Sequence, residues 1–161
     1  MAIDIRCLPP TEQGMGLFLN PPAQMRGYAE TYKETWSNRR EDIVMPIPRF
    51  VEILDEAGVD RVVMMASDKE TTIGTKFPND TLADLVKEAP DRIIGFAGVD
   101  PHKGRKAVDE LEWALSDLGL QGLTIGPWEH NLYPNDEKYF PFFELCVKHE
   151  VPVTIHASVH F

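Results

Sequence analysis

Strand-type apolar segments recur about every thirty residues from Arg61 onward, and a helical pattern lies between each pair. The run Arg61–Ala66 is apolar throughout after its first residue, which is typical of a strand buried on both faces of a parallel sheet. Parallel strands joined by helices form right-handed βαβ units. This alternation predicts an α/β fold with parallel strands and covering helices.

About five strands of this kind can be placed along the chain. The predicted strands are Ile3–Cys7, Arg61–Ala66, Ile93–Val99, Leu120–Ile125 and Val151–Ile155. Helical spacing of apolar residues predicts helices around 47–54, 82–86, 107–118 and 140–147. Two glycines, Gly58 and Gly119, follow the last apolar residue of a helix and predict its end.

We expect one domain over residues 1–161, with a long irregular insertion around 11–45. Inside the insertion, the spacing from Met25 to Tyr32 predicts a short amphipathic helix. The strand–helix alternation fits an open doubly wound sheet as well as a barrel. A complete eight-unit barrel takes roughly 250 residues, so a barrel here would be incomplete. Its first and last strands would be open edges, and we expect either a homo-oligomer or a missing C-terminal half.

The composition limits the partners of the chain. The net charge of −10 argues against a nucleic-acid surface, because phosphate binding needs clustered Lys and Arg. No run of eighteen apolar residues is present, and the N-terminus lacks the features of a signal peptide. The two cysteines lie far apart in the sequence. We therefore expect a cytoplasmic protein that binds a small molecule, without nucleic-acid or membrane partners.

Polar side chains gather where the predicted strands end. In parallel βα folds these carboxyl ends form the active-site edge. The candidates there are Asp4, Arg6, Cys7, Ser67, Asp68, Asp100, His102, Trp128, Glu129, His130, His156, Ser158 and His160. No glycine-rich phosphate loop and no Gly-x-Ser-x-Gly elbow is found, which argues against nucleotide binding and against a serine nucleophile.

His156 and Arg6 are the main catalytic candidates. His156 directly follows a buried-type strand, where a neutral imidazole suits Zn²⁺ binding or a general base, or is held by a neighbouring carbonyl. The fork of Arg6 fits a carboxylate or phosphate of a substrate, and a salt bridge to Asp4 or another acid at the edge is the alternative.

Four further residues are expected at the substrate. Trp128 could stack on a planar ligand or simply pack, and Glu129 and His130 place a carboxylate beside an imidazole. Adjacent residues seldom point the same way, so a shared site for Glu129 and His130 is the weaker of the two interpretations. Asp4 is the fourth expected substrate contact.

Several stretches resemble the amidohydrolase-2 (amidohydrolase-related) family, mainly between Val59 and His156. The stretch Asp91-Arg92-Ile93-Ile94-Gly95-Phe96-Ala97-Gly98-Val99-Asp100-Pro101 resembles the third-strand signature of this family. Further matching stretches are Ala107–Glu112, Leu118–Leu123, Tyr133–Asp136, Tyr139–Pro141 and Pro152–His156.

The resemblance implies an incomplete TIM-type barrel with its active site at the carboxyl ends of the strands. It also implies hydrolysis or decarboxylation of a small carboxylate or acyl substrate, usually with one divalent metal such as Zn²⁺. His156 matches a metal ligand of the family, whereas Arg6 and Leu8 occupy the two places of the strand-one His-x-His pair. We therefore expect an enzyme with an atypical metal site. The alternative is a catalytically inactive half-barrel fragment or interaction subunit.

Overall fold

The structure is a computed structural model that describes residues 1–20 and 43–157. Its strands are β1 (Ile3–Cys7), β2 (Arg61–Met65), β3 (Ser67–Lys69), β4 (Thr75–Phe77), β5 (Ile93–Gly98), β6 (Leu123–Ile125) and β7 (Val153–Ile155). Its α-helices are α1 (Gly16–Leu19), α2 (Ile47–Glu56), α3 (Asn79–Glu88), α4 (Arg105–Ser116) and α5 (Phe140–Lys148). Single 3₁₀ turns lie at Pro101–Lys103 and Glu137–Tyr139. The helix expected between Met25 and Tyr32 lies outside the described residues.

Five parallel strands form the main sheet, in the order β1-β2-β5-β6-β7. Each strand therefore pairs with the next strand of this sheet along the chain, and a helix covers each connection from β2 onward. This is the βαβ succession that the recurring apolar segments predict. The last two strands are shorter than predicted, because β6 begins at Leu123 and β7 at Val153.

The strand β2 contributes to two apolar clusters on opposite faces of the sheet. Val62 and Met64 are fully buried in the main core, between the sheet and the helices. Val63 and Met65 pack with Phe96 in a smaller cluster on the other face. A strand that is covered on both faces must be apolar at every position, which explains the continuous apolar run.

A two-stranded antiparallel hairpin, β3–β4, is inserted directly after β2 and before α3. Its register pairs Ser67 with Phe77, Asp68 with Lys76, and Lys69 with Thr75. The sequence predicts no strand between Ala66 and Pro78, so this hairpin is a finding of the structure. It carries charged side chains across the carboxyl end of the sheet.

The outermost strands of the main sheet are β1 and β7, as expected from the sequence. Three isoleucines on these strands are exposed, with relative exposures of 40% for Ile3, 69% for Ile5 and 46% for Ile155. Exposed apolar side chains on strands at the edge of a sheet favour pairing with another surface. Self-association of the chain stays a prediction. In the described part of the chain, no helix is long and apolar enough to cross a membrane.

Candidate active site at the carboxyl edge of the sheet

A cavity of about 370 Å³ opens at the carboxyl ends of the strands, beside the hairpin. Its size falls in the range of small-molecule sites, which is roughly 300–1,000 Å³. The charged and imidazole side chains that line it are Arg6, Asp68, Lys69, Lys76, Glu129, His130 and His156. Four of the six residues expected to be catalytic or substrate-binding, namely Arg6, Glu129, His130 and His156, are thus brought to one cavity, together with the strand-end candidates Ser67 and Asp68.

Arg6 and His156 contact each other at this cavity, although they lie at opposite ends of the described chain. A guanidinium Nη of Arg6 donates to Nδ1 of His156 at 3.1 Å. Because an arginine can only donate, Nδ1 is the acceptor and the hydrogen of the neutral imidazole lies on Nε2. Arg6 on β1 and His156 just after β7 belong to opposite edges of the sheet, so their contact depends on the curvature of the sheet.

The guanidinium of Arg6 has no carboxylate partner among residues 1–20 and 43–157. The nearby Asp4 accepts a hydrogen bond from the backbone N–H of Arg6 at 2.9 Å, so its carboxylate is used by the main chain. The salt bridge considered for Arg6 is therefore not formed in the described residues. An exposed, permanently charged guanidinium at a cavity wall fits an anionic ligand.

His130 is buried and bonded through both ring nitrogens. Its Nε2 donates to the carbonyl of Asp68 at 3.1 Å, so Nδ1 is the acceptor for the hydroxyl of Tyr139 at 2.9 Å. Burial lowers the pKa of His130, although the hydrogen bond to the Asp68 carbonyl opposes this shift. Burial likewise raises the pKa of Tyr139, which keeps its hydroxyl protonated as the donor. These bonds connect the β6 loop to the hairpin and give His130 a positioning role.

Lys69 and Glu129 form an ion pair in the cavity wall. Lys69 Nζ lies 2.5 Å from Glu129 Oε1, and the two side chains are only 9% and 11% exposed. The backbone carbonyl of Glu129 also accepts from the hydroxyl of Thr72 at 2.7 Å, which fixes the loop after β6 against the hairpin. The side chains of Glu129 and His130 therefore both reach the cavity, although they are adjacent in sequence.

Asp68 is the fully buried centre of a second charge network. Lys76 Nζ lies 3.0 Å and Lys103 Nζ 2.7 Å from its Oδ2. Partial burial alone would lower the pKa of both lysines. The hydrogen bonds of Lys76 to Asp68 and Glu110, and of Lys103 to Asp68 and Glu70, outweigh this effect, so the pKa of each lysine is raised. Both lysines therefore stay charged, and the network anchors the hairpin to the elements behind it.

Asp100 and His102, which follow β5, form hydrogen bonds with neighbouring loops and do not line the cavity. Asp100 accepts hydrogen bonds from Thr71 and from the backbone N–H of His102. His102 Nε2 donates to the carbonyl of His130 at 2.6 Å, and its Nδ1 accepts from Lys138 at 3.4 Å. Both residues therefore support the loop that carries His130.

Two predicted substrate contacts, Trp128 and Asp4, do not line this cavity in the described structure. The half-buried Trp128 sits in the turn after β6, and Asp4 is exposed on β1. Their substrate contacts stay predictions. Ser158 and His160 lie outside the described residues. Among the cavity residues that sequence reasoning missed are Lys69, Thr75 and Lys76, which lie on a hairpin that the apolar pattern does not identify.

The amidohydrolase-2 family model, described as Amidohydrolase, matches residues 45–161, which is more than half of the chain. The chain belongs to this family. The family assignment confirms the resemblance seen in the sequence between Val59 and His156.

Curated relatives of this family member are decarboxylases. It is 25% identical over 136 residues to gamma-resorcylate decarboxylase of a Polaromonas species, covering 75% of this chain and 42% of the relative. It is 33% identical over 81 residues to 2-amino-3-carboxymuconate-6-semialdehyde decarboxylase of Dictyostelium discoideum, covering 50% of this chain and 23% of the relative. The chain thus spans less than half the length of these relatives.

Solved structures show the same fold. The 5-carboxyvanillate decarboxylase of Novosphingobium aromaticivorans, solved with manganese, has a TM-score of 0.72 and 22% identity, covering 96% of this chain and 49% of that protein. A TIM-barrel protein of Bordetella bronchiseptica has a TM-score of 0.70 and 18% identity, covering 96% and 54%. The predicted incomplete TIM-type barrel is confirmed, and the doubly wound alternative is set aside.

The described residues do not fit a metal ion. Among residues 1–20 and 43–157, no group of three or more His, Cys, Asp or Glu side chains is placed to hold one. Arg6 stays protonated and Leu8 has no donor atom. His156 uses Nδ1 as an acceptor for Arg6, whereas a metal-bound imidazole normally donates from its second nitrogen to a carboxylate or carbonyl. The roles proposed below for these side chains therefore do not depend on a metal.

Proposed function

We propose that this chain carries the carboxylate-binding part of an enzyme that decarboxylates a small carboxylic acid. The observation that carries the proposal is the guanidinium of Arg6, which faces the cavity without a carboxylate partner among the described residues and contacts His156. The decarboxylases among the relatives support decarboxylation over hydrolysis.

The proposed role of Arg6 is to bind the substrate carboxylate. Lys69 and Lys76 also line the cavity, but each already has a carboxylate partner, Glu129 and Asp68 respectively. Arg6 has several N–H donors in one plane, so it can hold Nδ1 of His156 with one and still offer others to a carboxylate. Among the described cavity residues, Arg6 is thus the cation whose charge is not already neutralised, and it is available to a substrate anion.

Arg6 should act mainly on substrate binding. During decarboxylation, negative charge leaves the carboxylate and passes to the carbon that loses carbon dioxide. A cation bound to the departing carboxylate therefore stabilises the ground state at least as well as the transition state, which lowers KM without raising kcat. If Arg6 holds a carboxylate that the product keeps, the same prediction follows.

We assign His156 a hydrogen-bonding role in this proposal. A general base would need the lone pair of Nδ1, and Arg6 already donates to that atom. In the neutral ring, Nε2–H is the remaining polar group, and it can only donate. His156 therefore orients the guanidinium of Arg6, while its expected role as metal ligand or base requires the contact with Arg6 to break.

The test is an assay of the full chain with carboxyl-¹³C-labelled small aromatic and unsaturated acids, with release of labelled carbon dioxide followed by NMR. We expect turnover of at least one acid. Arg6→Met should raise KM by about 10- to 100-fold with a smaller change in kcat, as for the loss of a charge-assisted hydrogen-bonded pair. Arg105→Met is the matched control, because Arg105 is exposed and forms an ion pair with Asp109 of the same helix.

Turnover that is unchanged in Arg6→Met would contradict the role of Arg6. Hydrolysis of an ester or amide of the same acids, without release of carbon dioxide, would contradict decarboxylation. The second candidate function is an interaction subunit without catalysis, which is favoured by Arg6 and Leu8 at the two places of the strand-one His-x-His pair. Tight association with another protein, together with no turnover of any acid, would support that candidate instead.

A further inference from the structure

The cavity has two lysines among its described lining residues, and their surroundings differ. Lys76 Nζ lies 3.0 Å from a carboxylate oxygen of Asp68 and 3.0 Å from one of Glu110. Partial burial alone would lower the pKa of Lys76, but its hydrogen bonds to both carboxylates outweigh this effect and raise it. Lys69 has one carboxylate partner, Glu129. Of the two cavity amines, Lys69 is therefore the one with a single carboxylate to hold its proton.

The ammonium group of Lys69 is buried but not fully hydrogen-bonded. Its side chain is only 9% exposed, and one of its donors is used by Oε1 of Glu129. The remaining donors have no acceptor among residues 1–20 and 43–157. Buried donors in proteins usually have partners, so a nearly dry ammonium with free donors is uncommon. The nitrogen of Lys69 is thus able to contact a molecule in the cavity that its side chain lines.

Glu129 is placed to take a proton from Lys69. Its Oε1 lies 2.5 Å from Lys69 Nζ, and a general base has to be within hydrogen-bond reach of the proton that it removes. The other oxygen, Oε2, lies against Gly126, where a Cβ atom would overlap it. Gly126 therefore leaves the space in which this carboxylate stands. Lys69 and Glu129 together provide a nucleophilic nitrogen and a base, as in enzymes that use a lysine amine for covalent catalysis.

We propose that Lys69 forms a Schiff base with the carbonyl carbon of a β-keto acid, and that the imine accepts the electron pair left by the departing carbon dioxide. Lys69 on the hairpin and Arg6 on β1 border the same cavity. The inference rests on the proposed function, since Arg6 would hold the carboxylate of the same molecule. It adds a substrate class and a covalent activity, because a lysine imine requires a carbonyl group in the substrate.

Imine formation uses Lys69 and Glu129. Glu129 takes a proton from the ammonium group, and the free amine adds to the carbonyl carbon. The carbonyl oxygen leaves as water, and both protons of this water come from the nitrogen by way of Glu129. The product is a protonated imine that joins the substrate to Lys69, and Glu129 is again a carboxylate.

Loss of carbon dioxide follows from the protonated imine. The bond between the carboxylate and its neighbouring carbon breaks, and its electron pair forms the C=C bond of an enamine while the π pair of the C=N bond moves to nitrogen. The carbon that lost the carboxylate then takes a proton from water. Hydrolysis of the resulting imine releases a ketone and restores the ammonium group of Lys69, so the cycle consumes one proton and needs no oxidant or reductant.

The experiment is reductive trapping on the full chain. The chain is incubated with acetoacetate, or with acetone as the probe without a carboxylate, and sodium borohydride reduces any imine to a stable amine. Mass spectrometry of the peptides then locates the adduct. We expect Lys69 to carry at least about tenfold more adduct than Lys148, because the cavity holds the amine and the carbonyl together. Lys148 is the matched lysine, since it also pairs with a glutamate, Glu112, at 2.8 Å but is 63% exposed.

Three variants assign the trapping to the proposed groups. Lys69→Arg keeps a cation opposite Glu129 but cannot form an imine, so it should abolish the adduct while circular dichroism shows a folded chain. Glu129→Gln removes the base and should slow trapping at Lys69 by about tenfold or more. Arg6→Met should abolish the preference for acetoacetate over acetone. Lys148→Arg is the control for the first variant and should leave the adduct at Lys69 unchanged.

The outcomes separate this inference from the proposed function when release of carbon dioxide from carboxyl-¹³C-labelled acids is measured in parallel, against a control without protein. If Lys69 carries no more adduct than Lys148, while the native chain and Lys69→Arg release carbon dioxide equally, the inference is overturned and the proposed function stands. If Lys69 is trapped but no acid loses carbon dioxide and Arg6→Met changes nothing, the Schiff base stands and the proposed function is overturned, together with the step that loses carbon dioxide. If neither an adduct at Lys69 nor carbon dioxide is found, both fail.

Discussion

Asn79 holds the backbone of Gly98 through two hydrogen bonds. Its Oδ1 accepts from Gly98 N at 2.9 Å, and its Nδ2 donates to Gly98 O at 3.1 Å. Asn79 is the first residue of α3, and Gly98 is the last residue of β5. A Cβ atom at position 98 would overlap the backbone of Ala66, so the strand passes the end of β2 in close contact. This junction fixes the end of β5 at the edge of the sheet where the cavity lies.

Replacing Asn79 with alanine should destabilise the fold. The variant loses two buried hydrogen bonds and leaves the polar backbone groups of Gly98 without their partner, at a cost of about 2–4 kcal/mol in the free energy of unfolding. Urea denaturation followed by circular dichroism measures this change. Asn135→Ala serves as the control, because Asn135 is exposed and should tolerate the change. Equal stability of the two variants would contradict the structural role of Asn79.

The sheet could be predicted because its information is local. Most strands of the main sheet are short apolar segments, whereas β1 alternates apolar and charged residues. Each glycine that ends a helix, such as Gly58 or Gly119, adopts positive φ. The hairpin could not be predicted, because its strands have three residues each and carry charges. Those charges are balanced by distant residues, such as Glu129 opposite Lys69, and sequence patterns do not show such pairings.

The site could be predicted only in part, because the sequence shows where strands end but not which side chains contact each other. Arg6 and His156 could be proposed because each lies at the end of a predicted strand, but the contact between their side chains depends on both outer strands. The burial of His130, and the use of both its ring nitrogens, depends on Tyr139 and on the hairpin backbone. A sequence indicates where strands end, whereas the partners of a polar side chain require the three-dimensional arrangement.

Neutralising Asp68 should destabilise the chain far more than neutralising an exposed aspartate. Asp68→Asn leaves Lys76 and Lys103 without the carboxylate between them, and breaking a buried ion pair in this way costs about 3–5 kcal/mol at full burial. Because both lysines are partly exposed, we expect about 2–4 kcal/mol. Asp84→Asn, which disrupts only a surface pair with Lys87, is the control and should change little. Similar urea midpoints for the two variants would refute the prediction.

Both cysteines should be unreactive in the folded chain. Burial raises the pKa of Cys7 to about 12, with a further contribution from the charge of Asp4, and burial raises that of Cys146 to about 11. The thiolate is the reactive form, so almost none is present at pH 8. We expect labelling by a thiol reagent such as dithionitrobenzoate to be at least about tenfold slower in buffer than in denaturant. Rapid labelling of a native chain at either cysteine would show that its surroundings are open to water.

Asp100 should make the stability of the chain sensitive to acid. Burial raises the pKa of this carboxyl, but hydrogen bonds from Thr71 and from the backbone of His102 outweigh it, so the pKa lies below its ordinary value of 3.8. A carboxyl whose pKa is lower in the folded than in the unfolded state stabilises the fold above its unfolded pKa. This contribution is lost as the pH falls through the lower, folded pKa.

The measurement is the free energy of unfolding of the native chain and of Asp100→Asn between pH 6 and pH 2.5. The difference between the two should be largest and constant above about pH 5, where the carboxyl is ionised in both states. It should shrink as the pH falls below about 4, because the unfolded chain then binds a proton at this carboxyl that the native chain does not yet bind. Asp84→Asn provides the comparison, since Asp84 is exposed. A difference between the chain and Asp100→Asn that grows toward low pH would mean that the folded chain binds this proton more tightly than the unfolded one, contrary to the hydrogen bonds that Thr71 and His102 donate to the ionised form.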